Sequence, residues 1–160
     1  MNRARRRRPS RRDLLAAAAA LPAAGCLSAV AIRPAHAAVP ETMEAAIREF
    51  AGEAAIRDGR VKLEIPALVE NGNSVTLTVA VESPMSAADH VKTIAVFNEK
   101  NPQPNVALFH LGPRSGRARV EIRIRLATSQ KLVAVARMSD GSLWQDSADV
   151  IVTLAACLED

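Results

Sequence analysis

The sequence has few aromatic residues, with one Trp, three Phe and no Tyr in 160 residues. So few flat side chains exclude a surface that stacks successive nucleic-acid bases. It also lacks a long apolar run. The best candidate, Leu14-Leu15-Ala16-Ala17-Ala18-Ala19-Ala20-Leu21, is shorter than the roughly 20 residues that a membrane-crossing helix needs. There is no glycine-rich phosphate loop, no His-x-x-x-His spacing and no paired-cysteine metal spacing. The only cysteines are Cys26 and Cys157.

What the N-terminal region does contain is an export signal. A basic stretch from Arg3 to Arg12 precedes the apolar run, and Ala35-His36-Ala37 gives a small-x-small cleavage pattern. Ser10-Arg11-Arg12-Asp13-Leu14-Leu15 fits the twin-arginine type, with Arg11 and Arg12 as the pair. Residues 1–37 are therefore expected to be removed on export to the periplasm, leaving no membrane attachment. Ala23-Ala24-Gly25-Cys26 lacks the leucine expected three positions before a lipid-bearing cysteine.

Removal of the signal changes the charge. Eight of the 21 basic residues and one of the 17 acidic residues lie in residues 1–37, so the remainder carries 13 basic and 16 acidic residues, a net charge of −3. The alkaline character belongs to the signal, and a nucleic-acid partner loses its main support. Cys26 leaves as well. Cys157 then stands alone in a compartment that permits disulfides, which points to a reactive thiol or an intermolecular bond.

Residues 38–154 read as one domain. Thr42 is a candidate N-cap with Glu41 and Glu44 beside it, and Met43, Ala46, Ile47, Phe50 and Ala54 keep helical spacing until Asp58-Gly59. From Val61 the period changes to two. Strands are predicted over 61–65, 74–81, 91–98, 106–111, 118–126, 131–138 and 149–154, with Leu143-Trp144 as an extension, separated by turn signals such as Glu70-Asn71-Gly72-Asn73 and Gly112-Pro113-Arg114-Ser115-Gly116. About seven short strands at this spacing predict an all-β, immunoglobulin-like antiparallel β-sandwich preceded by a short N-terminal helix. Residues 155–160 form a C-terminal arm.

Candidate chemistry is sparse. His90 sits in a loop after Asp89 and His110 at a strand end, neither beside an identifiable partner. Arg114, Arg117, Arg119, Arg123 and Arg125 form a basic hairpin; such a stretch reads as a solvated outer face or as a surface for an acidic partner. Nothing predicts an independent enzyme, a cofactor or a metal. Cys157 is distinguished by its place, the fourth residue counted from the end and past the last predicted strand.

Several stretches resemble the SoxY sulfur-carrier proteins of periplasmic thiosulfate oxidation. They are Ile65 to Val75, Val81-Glu82-Ser83-Pro84-Met85, His90-Val91-Lys92-Thr93-Ile94, Asn101-Pro102-Gln103-Pro104, and Phe109 to Leu126 around Arg114-Ser115-Gly116-Arg117. The resemblance implies a sandwich that pairs with a small β-sandwich subunit, SoxZ, and holds sulfur intermediates covalently on Cys157 while separate Sox enzymes act on them. The arm departs from the family's Gly-Gly-Cys-Gly-Gly, since this chain ends Ala155-Ala156-Cys157-Leu158-Glu159-Asp160. Glycine supplies low bulk and positive φ; Leu158 and the anions after it supply neither and disfavour a thiolate nearby. An alternative reading is therefore a non-carrier interaction module with the same fold in another periplasmic redox pathway.

Overall fold

The computed structural model of the protein describes residues 42–154. The expected export signal with Arg11 and Arg12, and the expected arm with Cys157, lie outside the described residues. Helix α1 spans Met43–Ala51. The Thr42 side chain accepts a hydrogen bond from the Ala45 N–H at 3.2 Å, and Glu44 lies in the positive first turn. The helix ends sooner than Asp58-Gly59. Gly52 takes φ +64 and donates to the Arg48 carbonyl at 2.9 Å, a left-handed stop that glycine adopts at little cost. Ala54 is thus off the helix and exposed.

Nine strands follow: β1 Ile56–Asp58, β2 Val61–Glu64, β3 Leu68–Asn71, β4 Val75–Val81, β5 Val91–Asn98, β6 Asn105–His110, β7 Arg119–Ile124, β8 Gln130–Met138 and β9 Leu143–Leu154. The larger sheet has the order β1-β9-β8-β5-β6 with β3 also on β9, and the smaller has the order β2-β4-β7. The expected all-β sandwich with a short N-terminal helix is what forms.

The two sheets bury Leu77 and Val79 against Ile94, Val96, Leu132, Ala134 and Val150. β5 and β8 are covered on both faces, which explains why they are almost wholly apolar. Their second face carries Ala95, Phe97, Val133 and Val135, and α1 lays Met43, Ala46, Ile47 and Phe50 on it. The Phe50 and Phe97 rings meet edge-to-face at 6.0 Å. From β8 the Arg137 guanidinium hydrogen-bonds the Phe50 carbonyl and lies 5.0 Å over the Phe50 ring. A cation from a distant strand thereby satisfies one of the carbonyls left open at the helix's negative end.

Two differences from the sequence pattern matter. β1 and β3 are additional strands, and both pair with β9 in parallel. Leu143-Trp144 and the stretch 149–154 belong to one continuous strand of 12 residues. Between the residues paired with β1 and those paired with β3 its middle has a strand neighbour on one side only, and there Asp146 accepts a hydrogen bond from the Leu63 N–H at 2.8 Å and ties the two sheets together.

The loop after β5 is held by side-chain amides. Asn98 and Gln130 are buried. Asn101 donates to the Arg125 carbonyl (2.8 Å) and accepts from the Ala127 N–H (3.0 Å) and the Gln130 amide (2.9 Å). Removing that hub strands buried groups at about 1–3 kcal/mol. Asn101→Ala is expected to destabilise the domain by about 2 kcal/mol. Trp144 is a single fluorophore flanked by the Arg57 and Arg60 guanidiniums at 5.8 and 5.3 Å, and its emission during urea unfolding measures the change.

Candidate functional site

β8 begins at Gln130, the register partner of Val150. β9 therefore runs four residues beyond its β8 neighbour, towards the arm. On that side a hydroxyl replaces the missing strand: Ser129 Oγ accepts from the Val152 N–H at 2.9 Å and donates to the Val152 carbonyl at 3.4 Å. On the other side β3 supplies a parallel partner, pairing Leu68 with Ile151, Val69 with Val152 and Asn71 with Leu154. The Ile151 N–H reaches the Ala67 carbonyl at 2.8 Å, and the Thr153 hydroxyl reaches the Glu70 carbonyl at 3.2 Å.

The final anchor is Gly72. Its N–H donates to the Leu154 carbonyl and its own carbonyl accepts from the Leu126 N–H, both at 2.9 Å. Asn71 Oδ1 holds the same turn by accepting the Asn73 N–H at 2.9 Å. Leu154 is thus bonded into the sandwich up to the point where the arm begins. Leu68, Ile151 and Leu154 are each about 60% exposed, so the strand pair at the root of the arm carries apolar side chains into solvent.

The other candidates are dispersed. His90 Nδ1 lies 3.1 Å from the Ser86 carbonyl, and its backbone N–H donates to Ser139 Oγ at 3.2 Å. His110 ends β6, exposed, opposite Thr93. Among the described residues no group of three or more His, Cys, Asp or Glu is placed to hold a metal ion. Arg119 and Arg123 flank Glu121 on the outer face of β7, and Arg114, Arg117 and Arg125 are exposed. Arg119 meets Glu64 at 3.4 Å, and Lys62 meets the same carboxylate at 2.9 Å. The hydrogen bond from Lys62 holds the Glu64 carboxyl below its ordinary value, and Glu64 in turn raises Lys62. The hairpin is a mixed-charge outer face rather than a uniform basic patch. Sequence reasoning missed Ser129 and Gly72 as anchors, because Glu70-Asn71-Gly72-Asn73 read only as a turn and Ser129 falls between two predicted strands with no local signal.

A family model for the sulfur oxidation protein SoxY matches residues 47–157. The chain belongs to the SoxY family. The matched range takes in the whole root and ends at Cys157. Among solved structures, the chain is similar to the sulfur carrier protein SoxY from Chlorobium limicola f thiosulfatophilum, with 30% identity over 71% of this chain and 97% of that one and a TM-score of 0.60. It is also similar to a superoxide reductase (neelaredoxin) from Ignicoccus hospitalis, at 21% identity over 57% of this chain and 78% of that one and a TM-score of 0.52. A putative superoxide reductase from Thermotoga maritima matches at 21% identity over 64% and 89% with a TM-score of 0.51. The reductase likenesses concern the fold. Among curated proteins nothing matches.

The root makes a local prediction. Ser129→Ala deletes both bonds to Val152 while leaving the β3 pairing in place. Amide exchange at Val152 is expected to quicken about tenfold, with a global loss of no more than about 1 kcal/mol. Residue-resolved hydrogen exchange checks it.

Proposed function

We propose that this SoxY-family protein is a periplasmic carrier of sulfur intermediates, bound covalently to Cys157, that works with a SoxZ-like β-sandwich subunit and is presented to separate Sox-type enzymes. The observation that carries the proposal is the family match, which runs unbroken through the sandwich and ends at the one cysteine that remains once residues 1–37 are removed. The resemblance to the Chlorobium carrier over nearly its whole length supports the same role. The twin-arginine pattern at Arg11 and Arg12 supports export in the folded state, which suits a protein that travels with a partner.

In this role the protein is a substrate-bearing arm and not a catalyst. The Cys157 thiolate joins the sulfur of the cargo in an S–S bond, and a separate redox enzyme takes up the two electrons released. The sandwich contributes position. It fixes Leu154 and leaves three residues of chain to carry the thiol to an active site.

Leu158-Glu159-Asp160 favours a second reading, an interaction module in another periplasmic redox pathway, because the bulk and charge of these residues surround the sulfur. Intact-mass analysis of the protein purified from a sulfur-oxidising host separates the two. The carrier reading predicts a mass increment matching a sulfane, sulfite or thiosulfate group that is removed by reductant and absent from Cys157→Ser. A chain that never shows a reducible adduct, with Cys157→Ser fully functional in the host, supports the interaction module.

A further inference from the structure

Among the described residues the sheets end on several strand edges, and all but one carry charge. β1 has Arg57 and Asp58, β2 has Lys62 and Glu64, β3 has Glu70, and β7 has Arg119, Glu121 and Arg123. Charged side chains are a common device that stops an edge from recruiting another strand. β6, Asn105-Val106-Ala107-Leu108-Phe109-His110, has no Asp, Glu, Lys, Arg or Pro.

The hydrogen-bond register says which of its groups are available. The Leu111 N–H donates to the Lys92 carbonyl at 2.9 Å, and β6 pairs antiparallel with β5 through Phe109–Ile94 and Ala107–Val96. Alternation along an antiparallel ladder then directs the N–H and C=O of Leu108 and His110 away from β5, to the outside. The Leu108 side chain is 54% exposed.

Beside this edge lies a groove of about 460 Å³. Its floor includes Ala95, Phe97 and Leu108, and α1 forms one wall with Ala46, Glu49 and Phe50. Beyond β6 the opposite wall is missing among the described residues. A strand hydrogen-bonded to Leu108 and His110 would supply that wall with its own outward side chains. The groove's one charged lining residue is Glu49. A second copy docked through β6 would bring Asn105, Leu108 and His110 and no Lys or Arg, so the edge is better matched by a different chain.

We propose that β6 and the groove beside it dock an edge strand of the small β-sandwich subunit, a strand uncharged where it meets Leu108 and bearing a Lys or Arg opposite Glu49. This rests on the reading that the protein works with such a subunit. Main-chain hydrogen bonds would give affinity and the groove specificity, as in other strand additions. The surface belongs to the sandwich and leaves Cys157 unused.

The test measures affinity between the mature chain and that purified subunit. Leu108→Pro removes an outward N–H and leaves the Ala107 and Phe109 bonds to β5 intact; Leu108→Lys keeps the N–H and adds a gatekeeping charge should the proline perturb the strand. Trp144 fluorescence confirms that each variant folds. Both variants are expected to weaken binding about tenfold or more, Glu49→Lys several-fold, and Glu121→Lys on β7 not at all. Unchanged affinity in a folded Leu108→Lys overturns the proposal. So does a Leu108→Lys variant that only converts a homodimer to a monomer, which would make the occupant a second copy. A wild-type chain that binds no subunit while carrying an adduct on Cys157 overturns the docking proposal and leaves the carrier reading standing.

Discussion

The twelve-residue strand β9 is hydrogen-bonded to β8 along one side and, along the other, first to β1 and then to β3. The rest of the structure depends on this shared strand. Its first half lies in the middle of the larger sheet, with Leu143 fully buried in the cluster under α1. Asp146 then takes a backbone hydrogen bond from β2 and couples the two sheets. The final four residues have left β8 behind and are held by the short parallel partner β3, by one serine hydroxyl and by Gly72. A strand anchored so far along its length transmits the rigidity of the core to its end, and the arm starts from a fixed point.

This arrangement separates two requirements that conflict. A thiol that visits other proteins needs a mobile segment, whereas a docking partner needs a rigid surface. On the carrier proposal the first would fall to residues 155–160, which lie outside the described residues. The second is available on the sandwich, where an uncharged β6 edge and an incomplete groove lie beside charged, self-protecting edges. The exposed Leu68, Ile151 and Leu154 at the root of the arm add apolar surface at the point from which any enzyme reading Cys157 would approach.

Much of this was legible in the chain. β4 alternates because one face is core, and β8 is continuously apolar because α1 covers its second face. The thiol stood out by counting, since the expected cleavage after Ala37 would remove Cys26. The helix end was misplaced because Ala54 keeps the apolar period by coincidence, while Gly52 had already taken the left-handed turn. β1 and β3 escaped notice for a different reason. They are three and four residues long and are extended because β9 pairs with them, a partner some eighty residues away that no local pattern announces. Ser129 was equally silent, because a hydroxyl standing in for a strand looks in sequence like any turn serine.

The carrier proposal requires that Cys157 be accessible beyond β9, whose last described residue is Leu154. Its most direct test is the rate of alkylation of Cys157 in the reduced mature protein, compared across pH with the same protein unfolded in urea. The account predicts that the folded protein labels at a rate close to that of the unfolded chain, with Ser129 and β3 still protected from hydrogen exchange. A thiol that resists labelling until the sandwich unfolds would contradict it and show that the arm is part of the packed domain.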